Sequence, residues 1–152
     1  MFAPSQDDVR LFFVDARRKR SEGALLTPLE TIAADWIDAH PEYAADLGDA
    51  ERARSATYSP DGGRENPFLH LSMHLSISEQ VQVDQPRGIR QACELLAARF
   101  GSMHSAQHEV MECLGRMLWD AQRSGRPPDG EAYVDCVRGR ASAVRSSSEG
   151  RR

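Results

Sequence analysis

No stretch of this 152-residue chain approaches the roughly 20 apolar residues a helix needs to span a bilayer, which argues against membrane insertion. Nor do Met1 to Asp8 look like a secretory leader, since they place acids where a leader places Lys or Arg and no apolar region follows. Cationic excess is missing too: 19 Lys and Arg against 23 Asp and Glu give a formal net charge of −4 and a pI near 5.7. Such a balance leaves no electrostatic footprint for wrapping nucleic acid or coating an anionic membrane. Cysteine is scarce. Its three members, Cys93, Cys113 and Cys136, form neither a C-x-x-C nor a zinc-knuckle pattern, so they are expected to be reduced thiols that fill a core. Neither G-x-x-x-x-G-K-[ST] nor G-x-G-x-x-G occurs, which removes the usual nucleotide cofactors, and Asp61-Gly62-Gly63-Arg64 is turn chemistry by composition. These absences together predict a cytoplasmic protein.

What is present is helical. With 40% hydrophobic residues the chain can bury a real core as one domain. From Gln6 to about Lys19, Val9, Phe12, Phe13 and Ala16 recur at helical spacing, ending in Arg17-Arg18-Lys19-Arg20, a run read as a solvated helix end. Thr27-Pro28-Leu29-Glu30 is a capping box before the stripe Ile32, Ala33, Trp36 and Ile37, and His40-Pro41 should end that helix. A long loop over 48–65 is expected, with at most one short turn before it. Residues 68–83 admit two readings. Apolar residues at 69, 71, 73, 75 and 77 alternate as in a strand, yet Asn66-Pro67 is helix-start chemistry and the segment is about three times a usual strand. Helix is the favoured reading. Further helices are expected from about Ile89 to Phe100, closed by Gly101, from Ser102 to Ser124-Gly125, and from Gly130 to Gly139. The predicted fold is therefore all-α, a compact single-domain bundle of five to six helices over 1–140, followed by a disordered Ser- and Arg-rich tail over 141–152.

One constellation carries chemical content. His70 and His74, and again His104 and His108, form two His-x-x-x-His pairs on separate segments. Residues four apart share a helix face, so each pair can present two imidazoles to one point. The His70/His74 stripe continues through Ile77 and Val81 and therefore faces packing. On the later helix His104, His108, Met111, Gly115 and Trp119 form a stripe beside the main apolar arc, with Gly115 open to a close helix neighbour. Metal sites in bundle cores are made from such facing side chains. The candidate ligands are His70, His74, His104, His108 and Glu112, with Glu109 in a supporting place, and the candidate ions are Zn, Fe or Mn. No H-E-x-x-H motif is present. His40 reads as a helix-end residue near terminal carbonyls, and Trp36, Tyr43, Trp119 and Tyr133 as core aromatics. A homodimer in which each chain supplies one pair would serve equally.

Asn66-Pro67-Phe68-Leu69-His70-Leu71, then His74-Leu75 and Glu79-Gln80, His104 to His108 running on to Met111-Glu112-Cys113-Leu114, and His40-Pro41-Glu42-Tyr43 resemble the bacterial family known as domain of unknown function 1841. The resemblance covers about residues 5–140. It implies a bacterial source and an intact single domain, and it implies no activity. Two functions compete on these readings: a metal-binding helical protein, with Glu109 or Glu112 as a base if a coordination position is open, and a non-enzymatic helical interaction module whose histidines are structural.

Overall fold

Ser5 opens the first helix. Its hydroxyl accepts from the Asp8 N–H at 3.0 Å, and its own N–H donates to the Asp8 carboxylate at 3.1 Å, so two of the amides a helix start leaves orphaned are satisfied at once. This is α1, Gln6–Ser21. In the computed structural model residues 5–58 and 65–150 are described, the side chains of 143–150 excepted; the turn expected around Asp61-Gly62-Gly63 lies outside them. The capping box at Thr27 and Glu30 forms as the sequence predicts, with Glu30 N–H to the Thr27 hydroxyl at 3.1 Å and Thr27 N–H to the Glu30 carboxylate at 2.9 Å, and starts α2, Pro28–Asp38. The cations at the end of α1 do more than face water. Lys19 reaches Glu30 at 2.7 Å, and Arg20 reaches Asp35 at 2.7 Å and Asp38 at 2.8 Å, which ties α1 to α2.

After α2 the chain takes a 3₁₀ turn, Pro41–Tyr43, and two short helices, α3 (Ala44–Leu47) and α4 (Ala50–Ser55). The second stands where a loop is expected. It is held by a side chain that no apolar stripe announces: Arg10 on α1, 3% exposed, donates from Nη1 to the carbonyls of Ala53 at 2.8 Å and Ala56 at 2.7 Å.

Residues 67–83 are helical, as α5, Pro67–Val83. Asn66 Oδ1 accepts from the N–H groups of Phe68 at 3.0 Å and Leu69 at 3.2 Å, and the buried positions Phe68, Leu71, His74 and Ile77 fall every third residue. The alternation that imitates a strand is thereby broken, because Leu69 is left 59% exposed. Then follow α6 (Ile89–Phe100), α7 (Met103–Ser124) and α8 (Gly130–Gly150). The described residues thus make an all-α fold of eight α-helices rather than five or six, the surplus being α3 and α4. The last helix runs past Gly139 into the segment expected to be a disordered tail; residues 151–152 lie outside the described ones. None of these helices is long and apolar enough to cross a membrane among the described residues.

The chain falls into two compact units, divided between Leu75 and Ser76. In the first, α1 packs on α2 and α4, and the core gathers Phe13, Val14, Ala33, Ile37, Tyr43, Leu47, Phe68 and Leu71. A fully buried phenylalanine such as Phe13 contributes about 2–3 kcal/mol by leaving water. In the second, α6 packs on α7 and α8, and α7 on α8, burying Ile89, Cys93, Leu96, Val110, Leu114, Tyr133 and Val137.

The cysteines depart from expectation. Cys113 on α7 and Cys136 on α8 form a disulfide, with Cα atoms 5.8 Å apart, and only Cys93 is a free, buried thiol. The sequence offers no motif for this pair because the two residues are 23 apart and meet only through the packing of α7 against α8. Burial pushes the Cys93 thiol up to about 11, so at neutral pH it stays protonated.

Candidate functional site

In the first unit three imidazoles gather. His40 closes α2, where a helix leaves its last carbonyls unpaired, and its Nδ1 lies 2.7 Å from the Trp36 carbonyl, the helix-end contact its position predicts. A carbonyl can only accept, so Nδ1 carries the proton and Nε2 carries the lone pair. His70 and His74 stand one turn apart on α5, their ring centroids 4.8 Å apart. His40 lies 4.9 Å from each of them by the same measure. His70 places Nδ1 2.7 Å from a carboxylate oxygen of Glu65, so Nδ1 donates there and the neutral ring carries its lone pair on Nε2. Carboxylate and carbonyl partners of this kind orient ligand histidines and raise their basicity.

Aromatic rings wall the group. The Trp36 indole stacks on His74 with centroids 3.9 Å apart, and Tyr43 lies parallel to His40 at 5.2 Å. Burial, the Glu65 charge and a hydrogen bond to Glu65 hold the Tyr43 hydroxyl above its ordinary pKa, so it acts as a neutral donor. Glu65 therefore engages both Tyr43 and His70. His40 and His74 are buried, at 3% and 0% exposure.

In the second unit His104 and His108 sit one turn apart near the start of α7, ring centroids 4.6 Å apart. His104 is half-buried and His108 exposed. The Ser102 hydroxyl, accepting from the Ser105 N–H at 3.0 Å, sets where α7 begins and so which face the pair occupies. The two carboxylates considered alongside them turn elsewhere: Glu109 takes a 2.7 Å ion pair from Arg140 on α8, and Glu112, exposed, lies 3.9 Å from the same guanidinium. Nor does a helix approach Gly115, where an added Cβ would meet no described atom within 4 Å.

His40 and His74 in the first unit are thus placed to share a metal ion, and within the second unit His104 and His108 form a pair of their own. Within each pair the ligand nitrogens lie within 4.8 Å of one another, and a shift of the rings would bring them to the separation of at most about 4.2 Å that two bonds of about 2.0–2.1 Å to one zinc ion allow. Sequence reasoning gave His40 its helix-end role and left it out of the candidate ligands. The signal for it was Trp36-x-x-x-His40, a third four-residue spacing that brings an aromatic and an imidazole to one face.

No curated protein and no solved structure matches this chain. The family description that matches records no activity. Residues 5–139, nearly the whole chain, match the family described as Domain of unknown function (DUF1841), and the chain belongs to that family.

Proposed function

We propose that this protein binds a transition-metal ion through the histidines of its first unit, His40 and His74 supplying a pair of ligands with His70 beside them. The observation that carries the reading is the anchoring of His40: the Trp36 carbonyl at 2.7 Å fixes its tautomer and leaves the lone pair on Nε2, as a ligand histidine requires. The neighbouring His70 has the same arrangement through Glu65. A neutral imidazole set suits Zn and Fe, and suits Mn less, since Mn prefers carboxylate oxygen. His70, its ring centroid 4.8 Å from His74 and 4.9 Å from His40, is the alternate ligand of the same unit.

Elemental analysis of untagged protein, purified without chelator, tests the reading. A single equivalent of one metal per chain is expected, lost in His40→Ala/His74→Ala with the helical circular dichroism of the variant retained. If metal survives in that double variant, these histidines are not its ligands. A folded wild type that neither carries metal nor takes up added Zn, Fe or Mn ends the proposal.

A further inference from the structure

A second place with chemical content lies on the far part of α7, and it does not depend on the metal reading. The Cys113–Cys136 disulfide joins α7 to α8 at the wall of a cavity of about 620 Å³ that both cysteines line. That volume is in the range that accommodates a small molecule. The two cysteines differ in exposure, for Cys113 is 1% exposed while Cys136 is half-buried. Three arginines, Arg116, Arg123 and Arg126, line the same cavity with two acids, Asp120 and Asp129, so its lining carries one formal positive charge on a chain whose net charge is −4. A disulfide kept only for stability gains nothing from facing an open, positively charged cavity.

We propose that this disulfide is a thiol-exchange site for a small anionic thiol. The incoming thiolate, drawn by the arginines, attacks Cys136 Sγ. A sulfur–sulfur bond forms between ligand and Cys136 as the Cys113–Cys136 bond breaks, and the electron pair leaves on Cys113 Sγ, which takes a proton from water. A second thiolate attacks the ligand sulfur of this mixed disulfide, releasing the small-molecule disulfide and leaving Cys136 as a thiol. Two thiols are oxidised to one disulfide, and the protein disulfide is reduced to two thiols. The same steps in reverse close the bond again.

The test uses the oxidised, folded full chain, with reduced glutathione as the anionic probe and cysteamine as a cationic one, at matched thiolate concentrations. Reaction is stopped by alkylation and read by mass spectrometry. Glutathione is expected to open the bond about tenfold faster than cysteamine, in the range that electrostatic steering provides, with the margin shrinking in high salt. The trapped adduct should sit on Cys136; in Cys113→Ser, whose Cys136 is a free thiol, oxidised glutathione replaces the reduced probe and should leave one glutathione on Cys136 as the other departs as thiolate, and Arg116→Gln/Arg123→Gln/Arg126→Gln should erase the preference. Should either variant fail to fold, the salt dependence and the adduct position in the wild type decide alone. Equal or faster opening by cysteamine, an adduct on Cys113, opening only after urea, or free thiols at both positions in air-exposed protein would each overturn the proposal.

Discussion

The indole of Trp36 and the imidazole of His74 lie face to face, their centroids 3.9 Å apart and their planes 12° from parallel. An ion bound to His74 would sit at the edge of a ring already in van der Waals contact with the fluorophore. Copper(II) or nickel(II), which bind imidazole and quench indole emission, should therefore dim Trp36 strongly, while zinc should shift its emission with little quenching. Trp119, 55% exposed and covered on one face by Arg123, should respond weakly. The measurement is a metal titration of Trp119→Phe, which reports Trp36 alone, beside Trp36→Phe. Quenching that follows Trp119 instead would place the ion elsewhere.

Arg10 predicts a large loss of stability from an unassuming position. Its guanidinium donates to two carbonyls of the α4 region and lies 5.4 Å from the Tyr58 ring centroid and 5.1 Å from that of Phe68. Arg10→Ala removes two charge-assisted bonds and leaves two carbonyls to be resolvated, so a loss of about 3 kcal/mol is expected in urea denaturation. Arg10→Lys should restore only part of it, because both bonds leave Nη1 at the tip of the guanidinium, and a lysine ammonium differs in reach and lacks the flat group that lies beside the two rings. A loss under about 1 kcal/mol would mean α4 is held by something other than this residue.

Two glycines should respond to alanine with opposite sign. Gly88 has φ +97°, and a Cβ there would stand 2.7 Å from Arg138 Nη2 and 3.4 Å from Val134 Cγ1. The guanidinium can move, but the left-handed backbone cannot be relieved, so Gly88→Ala should cost about 1–2 kcal/mol. Gly115 sits inside α7 with open space at its Cβ, and Gly115→Ala should add about 0.5–1 kcal/mol through helix propensity. Thermal melts of the two variants give the comparison directly. A destabilised Gly115→Ala would show that something does approach that face.

What the residues disclosed in advance was local. Helix starts at Thr27-Pro28 and Asn66-Pro67, and the stop at Gly101, depend on hydrogen bonds spanning at most four residues, so the sequence carries them in full. The two His-x-x-x-His pairs are legible for the same reason, since the helix period alone puts each pair on a face. Where the chain closes on itself the reading stopped. The gathering of His40 with His70 and His74 depends on how the end of α2 meets α5, and the bond from Cys113 to Cys136 on how α7 meets α8. α4 escaped because its anchor is Arg10, a charged residue that hydrophobic patterning treats as surface. The strand-like alternation in α5 misled in the other direction: a period of two in the sequence carries no weight once burial follows every third residue, as it does at Phe68, Leu71, His74 and Ile77.

Glu30 sets an acid limit on the junction of α1 and α2. Its carboxyl is held below the ordinary glutamate value of 4.5 chiefly by the hydrogen bond from Lys19, then by the Thr27 N–H. A carboxylate whose pKa is lower folded than unfolded contributes stability that is fully present above the unfolded value and is lost as pH falls through the folded one. Protonation breaks the 2.7 Å pair with Lys19 and weakens the capping box at the same time. Glu30→Gln keeps an oxygen for the Thr27 N–H and lacks the charge throughout. The wild type should therefore melt above Glu30→Gln at neutral pH, and the difference should shrink steadily as pH drops below 4.5, until protonated wild type and variant coincide. Melting temperatures of both proteins across that range decide it. A constant offset would show that the substitution acts through packing, with the charge contributing nothing.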